Sequence, residues 1–260
     1  MSTVKISDII NAIEEYAPLH LQESYDNSGL QVGDRDMTAT TALLTVDVTL
    51  STINEAIRRG CNLVISHHPL IFKGVKSITG VNETEQIITK AIKNDIAIYS
   101  SHTSMDSAWE GVSHILAHKI GVKVTSPLQP TSEQTGLGVI GNIEPTNCLD
   151  YLKYIKETLS LSTIKYAGDV NKTVSKVAIC GGSGASLIDE AKTSKADLYI
   201  TGDVKYHDFI TSSNDIIIAD IGHYESERYT KEIFYAIITK KIANFVAYYS
   251  EEEKNPINYL

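Results

Sequence analysis

Apolar residues in the first part of the chain alternate between a helical period and short continuous runs. Four isoleucines between Ile6 and Ile13 share one face of a helix that Pro18 ends. Short apolar runs further along predict buried strands, with segments of helical period between them. Residues 25–33 are rich in turn formers and are expected to be a loop. The strands expected here are 42–48, 62–66 and 96–100, and the helices are 6–16, 50–59, 83–94 and 108–120.

The second part of the chain continues this alternation after a break. Residues 121–135 contain two prolines and several Ser and Thr residues, and they predict a linker. The strands expected beyond it are 137–143, 163–166, 174–180, 198–201, 216–219 and 245–249, and the helices are 148–159, 185–194 and 225–242. Such alternation predicts an α/β fold. We expect two similar lobes with mixed sheets flanked by helices, the first formed by residues 1–125 and completed by 244–260, the second by 126–243.

The amino-acid composition of the chain argues against several classes of function. The chain has 260 residues, of which 23 are Lys or Arg and 32 are Asp or Glu, giving a formal charge of −9. This balance disfavours general nucleic-acid binding, which depends on cationic contacts to phosphate. The three cysteines are widely spaced and form no CxxC pair, which argues against a disulfide framework and a thiolate zinc site. We expect a cytoplasmic protein, because no signal-peptide core or membrane-length apolar stretch is visible.

Two adjacent histidines end one predicted strand. His67 and His68 follow the apolar run 62–66 and precede Pro69. Neighbouring residues of an extended segment point to opposite sides, but a turn before the proline can bring both imidazoles toward one cavity. Taken alone, the pair favours one core and one surface histidine.

Carboxylates follow two other predicted strands, each four residues after a histidine. Asp106 follows His102 and can either ligate a cation or cap the helix expected at 108–120. Glu227 follows His223, and this spacing places both on one face of a helix, as in helical metal sites. The alternative for this last pair is an exposed surface contact.

Together these residues indicate a metal site at the strand ends. The candidate ligands are His67, His68, Asp106, His223 and Glu227, with His102 and His207 in reserve. Imidazole and carboxylate without thiolate suit zinc, iron, manganese or nickel. Five or more ligands exceed what one catalytic zinc ion takes from a protein. Two divalent ions that share a water account for the surplus, an arrangement typical of hydrolysis.

Six motifs, in the order in which they occur along the chain, resemble those of a known family. The motifs are Tyr25-Asp26-Asn27-Ser28-Gly29-Leu30, Ser66-His67-His68-Pro69, His102-Thr103-Ser104-Met105-Asp106, Gly181-Gly182-Ser183-Gly184, Thr201-Gly202-Asp203 and Asp220-x-Gly222-His223-x-x-x-Glu227. Over essentially its full length, the chain is similar to the dinuclear metal-centre proteins known as GTP cyclohydrolase type 2 homologues, or NGG-interacting factor three-like proteins. The glycine-rich motif by itself fits either a phosphate-binding turn or a tight turn.

The resemblance implies a site and an assembly. A pair of divalent metal ions is expected in a cleft between the lobes, with Glu227 as the bridging carboxylate. A toroidal homohexamer is expected as well. The ligands that match the family pattern are His67, His68, Asp106, His223 and Glu227. The candidate substrate contacts are Asp26, Asn27, Gly182, Asp203 and His207.

Two classes of function follow. The first is a metal-dependent hydrolase of the GTP cyclohydrolase type 2 kind, in which a metal-activated water attacks the purine ring and formate is released. His102 is the candidate for proton transfer, because it lies four residues before a ligand. A related hypothesis is that the protein hydrolyses phosphoesters. The second class is a non-catalytic, hexameric metal-binding or regulatory scaffold, favoured by the lack of an obvious basic pocket for a triphosphate. Neither class involves a membrane.

Overall fold

The computed structural model describes residues 3–212 and 214–260. The chain divides into two compact units, each built around one β-sheet. The first unit comprises Met1–Met105 and Thr230–Lys254, and the second comprises Asp106–Tyr229 and Asn255–Leu260. Among the described residues, no helix combines the length and the apolar character that a membrane crossing requires.

The first unit contains a five-stranded sheet with helices packed around it. Its helices and strands are α1 (Ile6–Tyr16), β1 (Gly29–Val32), β2 (Thr41–Thr45), α2 (Leu50–Arg59), β3 (Leu63–Ser66), α3 (Glu83–Lys93), β4 (Ala97–Ser100), α10 (Thr230–Lys241) and β11 (Val246–Tyr249). The strand order is β1-β4-β3-β2-β11. All neighbours are parallel except β1, which runs antiparallel to β4.

Strand β1 corrects one sequence expectation. The turn formers of residues 25–33 predicted a loop, but Gly29 pairs with Ser100 and Leu30 with Tyr99 across the sheet. The loop prediction is wrong for 29–32, because a partner about seventy residues away in sequence supplies the hydrogen bonds that local propensity does not indicate.

Local signals explain helix α2 well. Thr49 caps its N-terminus by accepting a hydrogen bond from the backbone N–H of Thr52, and the Thr52 hydroxyl accepts one from the Thr49 N–H. Gly60 ends the helix in a left-handed conformation with a φ of 69°, as a C-terminal cap commonly does. The apolar face of α2 joins a core that includes Leu43 and Val64 of the central strands.

The second unit contains a six-stranded sheet of order β5-β6-β8-β9-β10-β7. Its helices and strands are α5 (Val112–Lys119), β5 (Lys123–Pro130), β6 (Gly136–Asn147), α6 (Cys148–Thr158), β7 (Lys165–Ala167), β8 (Thr173–Ser183), α7 (Ile188–Thr193), β9 (Leu198–Gly202), α8 (Tyr206–Ser212), β10 (Ile217–Asp220) and α9 (His223–Glu227). A short helix, α4 (Thr103–Ser107), spans the first boundary between the units. Strands β8, β9 and β10 are mutually parallel and the remaining pairs are antiparallel, which confirms an α/β fold with mixed sheets.

Several expected elements between residues 108 and 242 differ in the structure. The expected linker at 121–135 instead carries β5, whose prolines lie on an edge strand, where a missing backbone donor is tolerated. The helix expected at 108–120 begins only at Val112, after Gly111. The helix expected at 225–242 is interrupted at Arg228 and Tyr229, where the chain passes from one unit to the other.

Candidate metal centre

Three histidines cluster at the carboxyl ends of two strands of the first unit. His67 and His68 directly follow β3, and His102 follows the neighbouring strand β4. One ring nitrogen of each lies within 4.8 Å of one from each of the others. The ring centroids of His67 and His68 are 5.0 Å apart, so the turn before Pro69 does bring both imidazoles to one place. Parallel β3 and β4 end at the same edge of the sheet, which explains why His102 joins them.

An oxygen atom fixes the orientation of each ring in this histidine cluster. Nδ1 of His67 lies 3.0 Å from the carbonyl oxygen of Ser101, which can only accept a hydrogen bond. Nδ1 of His68 lies 2.8 Å from a carboxylate oxygen of Asp47. In each case Nδ1 donates, and the neutral ring therefore carries its lone pair on Nε2. This is the tautomer and the outer partner that metal-ligating histidines have in proteins.

Asp26 fixes the orientation of the His102 ring in the same way. Its Oδ1 lies 2.8 Å from Nδ1 of His102, and its Oδ2 accepts hydrogen bonds from Ser28 Oγ and from the backbone N–H and hydroxyl of Thr103. Burial by itself would raise the pKa of the Asp26 carboxyl, but the hydrogen bonds from His102 and Thr103 hold it well below its usual value. Asp26 is therefore a permanent anion beside the His102 ring.

The second unit brings together a histidine and two carboxylates. His223 and Glu227 begin and end the short helix α9, and His223 Nε2 lies 3.0 Å from Glu227 Oε2, as the i, i+4 spacing predicts. Asp106 and Glu227 offer carboxylate oxygens within 4.8 Å of each other. Two carboxylates so close together, one of them on a buried residue, favour a cation between them.

The loops around His223 are fixed by further carboxylates. Asp203 follows β9 and places Oδ2 2.7 Å from Nδ1 of His223, so His223 also presents Nε2. Buried Asp220, at the end of β10, accepts hydrogen bonds from the backbone N–H groups of Val204 and Gly222. Asp220 thereby ties the turn that carries Asp203 to the turn that begins α9.

The glycine-rich end of β8 lies against Glu227. A Cβ atom on Gly182 would lie 2.0 Å from Glu227 Oε1, and the Gly182 N–H donates to Ser226 Oγ at 2.8 Å. The φ of Gly182 is +66° as well. Glycine is needed at this position because α9 approaches the backbone so closely. This favours the tight-turn interpretation of the motif over a phosphate-binding turn.

Cys180 belongs to none of the donor groups among the described residues that could hold a metal ion. Burial raises the pKa of its thiol to about 12, and the nearby charges of Asp106 and Glu227 act in the same direction. Cys61, Cys148 and Cys180 are all buried and unbridged. The donors that could hold a metal ion are therefore histidine nitrogens and carboxylate oxygens.

The remaining predicted site residues lie in varied settings. Asn27 uses its Nδ2 to donate to the carbonyl oxygen of Ile71. His207 is exposed on α8, beside the ring of Tyr206. Asp26 and Asp203, predicted as substrate contacts, each hold the Nδ1 of a histidine. Asp47 was missed by the sequence reasoning, although its position after the buried strand β2 is the kind of signal that identified His67 and His102.

The fold and these donors define a class of protein. It has two α/β units, and each unit presents histidine or carboxylate side chains near the carboxyl ends of its strands in an arrangement that could hold a metal ion. The chain belongs to the Duf34/NIF3 (NGG1p interacting factor 3) family, whose model matches residues 4–256. This confirms the family identified from the motifs.

Relatives and solved structures agree with this assignment. The chain is 39% identical to a "GTP cyclohydrolase 1 type 2 homolog" of Clostridium perfringens, with 86% of this chain and 87% of the relative covered. It is 33% identical to a protein of the same description from Streptococcus pneumoniae, with 98% and 94% covered. It also resembles the crystal structure of a hypothetical protein of Staphylococcus aureus, with a TM-score of 0.93, 28% identity and full coverage of both chains.

Proposed function

We propose that the protein is a metal-dependent hydrolase that opens the purine ring of GTP and releases formate. The observation that carries the proposal is the set of histidines whose Nδ1 atoms are held by oxygens, so that Nε2 carries the lone pair. The description shared by the two curated relatives supports a reaction of the GTP cyclohydrolase kind. Buried, unbridged thiols suit a reducing cytoplasm.

The proposed ligands would hold two divalent ions. They are His67, His68, Asp106, His223 and Glu227. Glu227 is the candidate bridge, because its carboxylate lies close to both Asp106 and His223 Nε2. When bound, the two ions would act as Lewis acids and would lower the pKa of a shared water. The homohexamer that the family resemblance implies stays part of this proposal and can be checked by light scattering.

His102 is proposed to transfer a proton at Nε2. Its Nδ1 faces the permanently ionised Asp26, which would stabilise the imidazolium after the ring accepts a proton. The arrangement suits a group that takes a proton from water and returns it to the opening ring. Nδ1 of His67 instead faces the backbone carbonyl of Ser101.

Metal content and turnover, measured on one anaerobic preparation, test this proposal. We expect about two metal ions per chain and formate release from GTP that stops on chelation and returns with metal. His68→Ala and Glu227→Gln should lose metal and activity together. His118→Ala removes an exposed histidine of α5 and should change neither.

Three outcomes would contradict parts of the proposal. If the protein binds metal and hydrolyses phosphodiesters but not GTP, the proposed substrate is wrong and the assignment as a metal-dependent hydrolase stands. Full metal loading with no turnover of either substrate would favour the metal-binding scaffold. No tightly bound metal after reconstitution would return these histidines to structural roles.

A further inference from the structure

We propose that Tyr25, Phe72, Lys73 and Lys76 form a nucleotide subsite in the first unit, where the Phe72 ring stacks on the base, the Tyr25 ring contacts the edge of the base and the lysines bind the phosphates. The inference rests on the proposed function and names the part of the protein that recognises its substrate.

Two aromatic rings lie exposed beside the histidine cluster. The Phe72 side chain is 45% exposed and that of Tyr25 is 64% exposed. Their ring centroids are 6.4 Å apart, and the Phe72 ring lies 6.2 Å from that of His102 in an edge-on arrangement. Large aromatic side chains that remain in water next to a polar site commonly serve to contact a ligand, since burying them elsewhere would be favourable. A base that stacks here is held next to His102.

The backbone that carries Phe72 is held in place. The carbonyl of Ile71 accepts a hydrogen bond from Asn27 Nδ2, and its N–H donates to Gln31 Oε1 at 3.0 Å. Ile71 also packs against the core of the first unit. The exposure of Phe72 is therefore a feature of an anchored segment, and the ring needs little ordering when a base binds.

Positive charge lies directly after the aromatic ring. Lys73 and Lys76 are exposed, and neither forms an ion pair with any residue in 3–212 or 214–260. Both line an open cavity of 450 Å³ together with Phe72 and Glu85. The Glu85 carboxylate is bound by hydrogen bonds from the residue 79–82 segment, which stabilise that side of the cavity. Two unmatched ammonium groups in a chain of charge −9 are complementary to phosphates.

The aromatic rings and the lysines follow one another in the same order as the base and the phosphates of a nucleotide. The base platform lies next to His102, and the cationic segment begins one residue further along the chain. Aromatic stacking tolerates any base, so the subsite would bind nucleotides as a class. It also supplies the basic pocket for phosphates that the sequence did not reveal.

Calorimetric binding of GTP, GMP and guanosine to the metal-loaded protein tests the subsite, with chromatography of the sample to show that the nucleotide is intact. Phe72→Ala should weaken binding of all three by about tenfold, and Phe72→Trp should restore it. Lys73→Gln with Lys76→Gln should weaken GTP by about tenfold and leave guanosine unchanged. Lys93→Gln with Lys240→Gln removes the same charge from exposed positions outside this cavity and should change neither.

These outcomes separate the subsite from the catalytic proposal, because the affinity for nucleotide is measured and not the release of formate. Wild-type affinity for GTP in Phe72→Ala or in the paired lysine variant would overturn the subsite, even if formate release is observed. Failure of the wild type to bind any of the three ligands would overturn it as well, and hydrolysis of another substrate would still be open. A change in oligomeric state of folded Phe72→Ala would identify the exposed ring as a contact between copies of the chain, and this too would overturn the inference.

Discussion

Glu253 accepts a hydrogen bond at Oε1 from the backbone N–H of Asp47 at 3.2 Å, although 206 residues separate them. The same oxygen accepts hydrogen bonds from the N–H of Val46 and from the hydroxyl of Thr45, and the other oxygen pairs with Lys231. The carboxylate side chain is only 3% exposed. Asp47 in turn holds Nδ1 of His68. Glu253 therefore supports a proposed metal ligand indirectly, through Asp47.

Removing this support should weaken metal binding without removing a ligand. Glu253→Ala leaves backbone donors of the residue 45–47 turn without their acceptor, so Asp47 loses its fixed position. We expect the dissociation constant for metal to rise by about tenfold, and the free energy of unfolding to fall by about 2 kcal/mol. Competition with a chromogenic chelator measures the first quantity.

A neighbouring glutamate provides the control. The Glu251 side chain is 81% exposed, so Glu251→Ala should leave metal affinity within twofold of the wild type. An affinity of Glu253→Ala equal to that of Glu251→Ala, in a protein of lowered stability, would show that Glu253 only stabilises the fold.

Asp26→Asn should separate proton transfer from metal binding. The amide keeps the size of the side chain but no longer offers an anion to Nδ1 of His102. We expect kcat for formate release to fall by about 100-fold while two metals remain bound. Asp36→Asn alters an exposed carboxylate of the same unit and serves as control. Loss of metal in proportion to activity in Asp26→Asn would instead make His102 a ligand.

Glu55 links helix α2 to the segment after β11. Burial by itself would raise the pKa of its carboxyl, but hydrogen bonds from Ser250 Oγ and from the N–H groups of Glu251 and Glu252, with the ion pair to Arg59, lower it below its ordinary value. A carboxyl whose pKa is lower in the folded protein adds stability above the unfolded value, near 4.3, and this stability is lost as the pH falls through the folded value.

Glu55→Gln should therefore destabilise the protein only where the carboxyl is ionised. We expect the free energy of unfolding in urea to fall by about 2 kcal/mol at pH 7 and the difference from the wild type to shrink steadily below pH 4. Glu157→Gln, which changes an exposed carboxylate of α6, should have no such pH-dependent effect. A destabilisation that is equal at pH 7 and pH 3 would mean that packing, not charge, is what Glu55 contributes.

The sequence allowed prediction of ligands that follow buried strands, and not of the groups that orient them. His67 and His102 were found because apolar runs mark where β3 and β4 end. Asp47 was missed because the apolar run 42–48 extends beyond the end of β2 at Thr45, which hid Asp47 inside an expected strand. Glu253 carries no local signal for this role, since the residue 45–47 turn that it supports is more than 200 residues away. Periodicity reports local burial, whereas these contacts depend on tertiary pairing.

Two glycines of nearly equal backbone conformation allow the close approach of Glu227 to be tested. Gly182 has a φ of +66° and Gly60 a φ of +69°, so alanine meets similar left-handed strain at both, about 1 kcal/mol. The surroundings differ: a Cβ on Gly182 would lie 2.0 Å from Glu227 Oε1, while a Cβ on Gly60 would have no atom within 4 Å.

Gly182→Ala and Gly60→Ala should therefore differ in metal content far more than in backbone strain. The new methyl group must displace the Glu227 carboxylate, so we expect Gly182→Ala to lose at least half of the metal bound per chain. Gly60→Ala should retain all of it and lose only the stability that the strain removes. Metal analysis of both variants, with urea unfolding of each, makes the comparison. Full metal content in folded Gly182→Ala would mean that the position of Glu227 seen here is not needed for metal binding, and the proposed bridge would have to be another carboxylate.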